Sequence, residues 1–250
     1  AVFQAAKPAF QILAFLLPRA DAPDLRLKVK AGQLGMNAVT ARDVTLDLQS
    51  GVNGLDLRAL NIGAVGGASV SASGLILDNG KGGDGSISLD VKADDPGELI
   101  RLLGLASANG LPAWAQNLGS TALRADLSVK PGDAGSEMTL KAGGTAGQLT
   151  VSASGSVAPD MTLSGEARVD APSSARILTL LGLSPRQQDS MPGSMVIDAK
   201  GTVAGGFTGT GTLQVLGGRL DYEGAFSPFG DGYGLNGKLS LRATDAAPLF

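Results

Sequence analysis

A unit of about 75 residues recurs along the chain, and it constrains the fold more than any local motif. Residues 89–105 read LDVKADDPGELIRLLGL, residues 167–183 read ARVDAPSSARILTLLGL, and residues 239–250 read LSLRATDAAPLF. Each copy is an alternating strand pattern, then small and acidic residues, then Pro, then an apolar helical pattern. Asp94, Asp170 and Asp245 mark spacings of 76 and 75 residues. The segment KPAFQILAFLLP near the start reads as an earlier copy of the helix. A fixed period marks a stacked or array architecture, and one this long exceeds the roughly 20–50 residues of solenoid repeats. Each unit therefore holds several strands. The expected divisions are 1–18, a helix completing an upstream repeat; 19–105 and 106–183, each ending in a helix; and 184–250, truncated at its helix.

The strands announce themselves by period-2 alternation. Leu25/Leu27/Val29, Val44/Leu46/Leu48, Ile87/Leu89/Val91, Leu149/Val151 and Leu239/Leu241 alternate with Arg26, Lys28, Thr45, Asp47, Ser88, Asp90, Thr150 and Arg242. One face is apolar and the other wet, as in antiparallel sheets covered on one side. Asp78-Asn79-Gly80, Gly82-Gly83-Asp84-Gly85, Pro131-Gly132-Asp133 and Ala158-Pro159-Asp160 supply turns between strands. The expected fold is mainly β. Repeated antiparallel strands form an elongated curled sheet or groove, with short apolar helices inserted about every 75 residues.

The helices are expected to run roughly 8–12 residues. Asp95 stands at an N-cap, Pro96 at N1 and Glu98 at N3. Leu99, Ile100, Leu102, Leu103 and Leu105 follow, then Gly104 helps to end the helix. Ile177, Leu178, Leu180 and Leu181 repeat the pattern. With so little polar surface, these helices are expected to plug or cap the apolar face of the sheet.

Composition removes most chemistry. The chain has 250 residues with no Cys and no His, so thiolate zinc sites, disulfides, iron–sulfur clusters and the Ser-His-Asp triad are excluded. A net charge of −3 argues against nucleic acid, which needs clustered cations. The most apolar stretch, Pro8 to Pro18, is about half the roughly 20 residues of a membrane span and lacks the flanks of a signal peptide. With Ala1 at the start and no initiator Met, the chain reads as an internal fragment of a longer protein.

The local motifs yield to bland readings. Gly232-Tyr233-Gly234-Leu235-Asn236-Gly237 matches G-x-G-x-x-G, but roughly one such match is expected by chance at this glycine content, and a strand follows where a helix must cradle phosphate. Lys81 to Gly85 reads as a hairpin loop. Asp94 and Asp95 are adjacent carboxylates whose expected work is capping. Trp114 is expected to cover a core edge. Lys7, Arg19, Arg26, Lys28 and Lys30 read as a solvated face. No catalytic residue, metal site or cofactor is expected.

What remains is the aliphatic face. Such a lining, without placed donors and acceptors, suits acyl chains better than a polar metabolite. The expected lining positions are Leu46, Leu48, Leu55, Leu57, Ile87, Leu89, Val91, Leu127, Val129, Leu149, Val151, Leu213, Val215, Leu239 and Leu241. If another layer covers this face, the chain is instead a structural scaffold or interaction module with a closed core and no ligand. The residues leave open and closed faces as alternatives.

The run ARDVTLDLQSGVNGLDLRALNIGAVGGASVSASGLI (41–76), the insert DDPGELIRLLGL and the recurring Gly-led VSASG strands resemble bacterial AsmA-like proteins. That resemblance implies an inner-membrane anchor outside this chain, a periplasmic location in Gram-negative bacteria, and a long curled sheet with a hydrophobic groove. It further implies phospholipid as the partner, with a role in lipid transport between the membranes and in outer-membrane biogenesis.

Overall fold

The computed structural model describes residues 24–36, 39–80, 82–102, 111, 115, 118–132, 135–183, 190–202, 205–229 and 232–243. Among the described residues, thirteen strands form one antiparallel sheet in which every strand pairs with its neighbours in sequence. They are β1 (Leu25–Met36), β2 (Val39–Gly51), β3 (Gly54–Val65), β4 (Ala68–Asp78), β5 (Gly83–Ala93), β6 (Thr121–Gly132), β7 (Gly135–Ala146), β8 (Leu149–Val157), β9 (Leu163–Ala171), β10 (Gly193–Thr202), β11 (Gly206–Val215), β12 (Gly218–Phe229) and β13 (Gly232–Ala243). β1 and β13 do not pair with each other, so the sheet is open and the expected mainly-β, antiparallel architecture holds. Both edges carry cations on the polar face, Arg26, Lys28 and Lys30 on β1 and Lys238 and Arg242 on β13. Charged side chains of this kind discourage further strand pairing at an open edge.

Among the described residues, two helices interrupt the meander. α1 (Gly97–Leu102) follows β5, and α2 (Ser174–Leu180) follows β9. Odd-numbered strands of a meander all run the same way, so both helices leave the same end of the sheet, four strands apart. α2, at seven residues, is shorter than the sequence pattern implies. α2 stops at Leu180 because Gly182 takes φ 79°, its N–H bonds Thr179 O at 3.0 Å, and Leu183 N–H bonds Leu178 O at 2.9 Å. This is a Schellman stop, so Leu181 lies just outside the helix. At α1, Asp95 Oδ1 accepts from Gly97 N–H at 2.8 Å, which is the expected capping role. Leu103, Gly104, Leu105, Trp114, Lys7, Arg19, Asp245 and the 7–18 segment lie outside the described residues.

The turns follow their sequences. Asp78 Oδ1 accepts from Gly80 N–H at 2.8 Å in the β4–β5 turn, and Asp160 Oδ1 accepts from Thr162 N–H at 2.9 Å between β8 and β9. A bulge between β2 and β3 puts Arg58 and Ala59 into a three-residue step, so that Leu57 and Leu60 both face the apolar side. Without that extra residue, the second half of β3 would turn Leu60 and Ile62 into water.

The apolar face is buried in two places. Leu55, Leu57, Ile76, Ile87 and Val129 form one cluster, with Leu46, Leu48, Leu60, Ala72 and Met138 packed against it. The second lies at the helix end, where Leu149, Ala171 and Ile177 are buried against Leu118, Val151, Val169, Leu180, Leu213 and Val215. Ile177 is fully buried, so α2 does cap this face. Ser174, also fully buried, fastens it: its hydroxyl donates to Met191 O at 3.1 Å and accepts from Leu216 N–H at 2.9 Å.

The other face is polar. Four strands carry an Arg–Asp pair two residues apart, Asp56–Arg58, Arg124–Asp126, Arg168–Asp170 and Arg219–Asp221. All are solvated, and exposed pairs each contribute only about 0–1 kcal/mol. Their chief effect is to keep this face wet and so to fix which side of each strand faces the apolar layer.

Candidate functional site

The register decides where the aliphatic positions meet. Opposed residues in an antiparallel pair share a face, so side-chain rows can be traced across the whole sheet. One row runs Val29, Leu46, Leu60, Ala72, Leu89, Ala125, Ala142, Ala153, Ala167, Ile197, Gly211, Tyr222, Leu239. The next row towards the helices contains Val91, Leu123, Gly144, Val151, Val169, Met195, Leu213, Leu220 and Leu241. On the far side of the first row lie Leu48, Leu57, Ile87 and Leu127. Leu55 and Val129 sit one row further out, and Leu149 and Val215 lie nearest the helices.

All fifteen expected lining residues thus share one face, but they are not equally open. Leu55, Leu57, Ile87 and Val129 are closed into the first cluster, and Leu149 into the second. Leu46, Leu48, Leu89, Val91, Leu127, Val151, Leu213 and Val215 are half-buried. Leu239 and Leu241, on the edge strand, are 68% and 63% exposed.

Between the two clusters no described element covers the face. A trough of about 350 Å³ crosses β5 to β9, lined by Leu89, Val91, Leu123, Ala125, Ala142, Val151, Ala153, Ala167 and Val169. Its floor is the run of four alanines from β6 to β9. Ala removes the bulk that Leu supplies at Leu89 and that Ile supplies at Ile197, the row's next members on either side. The larger side chains of the adjacent row form a wall. Four strand spacings separate Leu89 from Ala167, about 19 Å. Arg124, Gly143, Ser152 and Arg168 also border the trough, but they alternate with the floor residues, and their side chains belong to the polar face.

The alanines were not singled out from the sequence, nor were Leu123 and Val169. The signal was available: in LRADL, LKAGG, VSASG and GEARV a small residue occupies a central apolar position of the alternation. Its meaning depends on four strands being in register.

Among the described residues, no group of three acidic side chains could hold a metal ion, and the G-x-G-x-x-G segment is the opening of β13, paired to β12. The shifted carboxylates all lie away from the trough. Asp126 is held below its ordinary range by the Ser88 hydroxyl and then by Arg124, and Asp221 by Arg219 and then Thr212. Both shifts have structural causes on the polar face.

The fold and face define an open, single-layer antiparallel meander with one aliphatic side. No protein-family model matches the chain, and no curated protein or solved structure does so either.

Proposed function

We propose that this chain is a non-enzymatic groove segment that binds phospholipid acyl chains. The observation that carries the reading is the uncovered alanine-floored trough. No second sheet lies over the apolar face among the described residues, so this surface meets solvent or a ligand. Contiguous exposed apolar area of this kind is a feature of binding sites. The trough's length of about 19 Å accommodates one acyl chain of a membrane leaflet, about 15 Å long from a bilayer core of ≈30 Å. Transfer from water contributes about 0.8 kcal/mol per buried methylene, and this term needs no placed donor or acceptor. The head group stays at the rim, in water.

The resemblance to AsmA-like proteins extends this reading. On that resemblance, the chain is proposed to act in the periplasm of a Gram-negative bacterium, as part of an inner-membrane-anchored protein that contributes to phospholipid transport to the outer membrane. Movement is passive: along the alanine floor from β6 to β9 successive positions offer similar apolar contacts, so a chain shifts there without a large barrier.

The test is lipid extraction and mass spectrometry on protein purified from bacterial cells without detergent. Stoichiometric phospholipid that survives washing is the expected result. A lipid-free, monodisperse and stably folded sample would overturn the proposal and favour a scaffold whose apolar face is closed by another copy.

A further inference from the structure

We infer that the trough's amphiphile is anionic and that its charged head is held by Arg176 at the helix end of the sheet. This rests on the proposed acyl-binding role and adds a head-group site to it. A second pocket, of about 410 Å³, opens beside the trough, between α2 and the β7–β8 turn. It is two-sided. Leu118, Leu149 and Leu180 supply apolar lining, and Ser120, Gln148, Arg176 and Thr179 contribute polar groups. Leu149 and the trough residue Val151 are successive apolar-face positions on β8, about 7 Å apart along the strand. Leu118 and Leu180 pack with Val151 and Val169 in the same cluster, so the pocket's apolar side is continuous with the trough wall.

Arg176 makes no ion pair with any described residue, as is true of Arg26, Arg42 and Arg242, whereas Arg58, Arg101, Arg124, Arg168 and Arg219 each hold a carboxylate; of the unpaired arginines it is Arg176 that lines this pocket. A cation without a carboxylate, beside an aliphatic channel, complements an anionic head attached to an acyl chain. The pocket wall is also fixed in place. Gly147 N–H donates to Ser120 O at 2.6 Å, and a Cβ on Gly147 would lie 2.1 Å from Leu118 O. The 118–120 strap therefore closes directly onto the turn.

The experiment is calorimetric titration of the full chain with three probes below their micelle concentrations: dioctanoyl phosphatidic acid, dioctanoylglycerol and inorganic phosphate. The wild type should bind phosphatidic acid more tightly than dioctanoylglycerol and should not bind phosphate alone. R176Q should weaken phosphatidic acid by roughly tenfold or more, as expected for loss of a charge-assisted contact, and leave dioctanoylglycerol unchanged. R176K should retain most of the difference. Equal affinity of R176Q and wild type for phosphatidic acid would overturn the inference while leaving the groove intact. Tight binding of phosphate alone would also overturn it, since the acyl chain would then play no part. If neither lipid binds the wild type, the acyl-binding role itself fails.

Discussion

Ala142 on β7 and Ala153 on β8 stand directly opposite each other on the apolar face. Ala125 and Ala167 continue the row on either side. Small side chains at four consecutive strands lower the floor between larger neighbours, and a trough results where a Leu-rich row would have produced a flat surface. The acyl-binding expectations follow from that row.

Filling the floor should therefore displace ligand without unfolding the sheet. A153F adds an aromatic ring at an exposed position on β8, where substitutions ordinarily change stability by about 0.5 kcal/mol or less. Phospholipid recovered with the purified protein should fall roughly tenfold, equivalent to about two buried methylenes. Mass spectrometry of extracted lipid and a thermal melt of the same sample measure both quantities. Undiminished lipid in A153F would remove the trough from the account.

Two aspartate substitutions should separate open face from closed core. Leu89 is half-buried at the head of the trough, whereas Val129 is 1% exposed inside the first cluster. L89D should remain folded and lose lipid. V129D should lose more than about 4 kcal/mol, because a carboxylate is forced into a packed cluster. Urea denaturation followed by circular dichroism distinguishes them, and equal destabilisation by both changes would show that the trough is ordinary core.

Ser174 should matter more than its size implies. Its hydroxyl serves Met191 O, Pro192 O and Leu216 N–H, and Leu216 holds φ 52° at the turn before β12. S174A removes the hydroxyl acceptor of the part-buried Leu216 N–H, which costs about 1–3 kcal/mol. The cost should appear as a lower denaturation midpoint with an unchanged slope. Stability equal to wild type would mean that the loop before β10 is held by other contacts.

Acid should weaken the sheet through its polar face. Asp126 and Asp221 have folded-state pKa values below the ordinary 3.8. Their stabilisation is therefore fully present above that value and lost as pH falls below it, through the folded values. The melting temperature should change little between pH 7 and pH 5 on their account, then drop below pH 3.8. In the double variant D126N/D221N the drop should be smaller. An identical acid profile in the variant would remove these two carboxylates as its cause.

The sheet was legible because period 2 is a local property. Leu46, Leu48, Ile87 and Leu89 declare their face within a few residues of sequence, and neighbouring strands joined by short turns bring such faces together. The phase change from Leu57 to Leu60 was not read from the sequence; it follows from the bulge in the β2–β3 register. The trough was not legible in the same way. Ala142 and Ala153 are unremarkable alanines until the β7–β8 turn sets them opposite each other. Nor does the pattern distinguish Val129, closed beneath its neighbours, from Leu239, exposed on an edge strand: both are single aliphatic residues in alternating strands. The helices show the same limit. Ile177 was recognisably apolar, but its position over Leu149 and Ala171 depends on Ser174 meeting a loop and a turn that are 17 and 42 residues away.

The central claim, that an acyl chain lies in the trough on the apolar face, is tested most directly by photocrosslinking in bacterial cells. A photoreactive residue at Ala142 sits on the trough floor, and one at Lys141 sits next to it on the opposite, polar face. Phospholipid adducts at position 142 and few or none at position 141 are the predicted result. Equal labelling at both positions, or none at 142 in a folded protein, would contradict it.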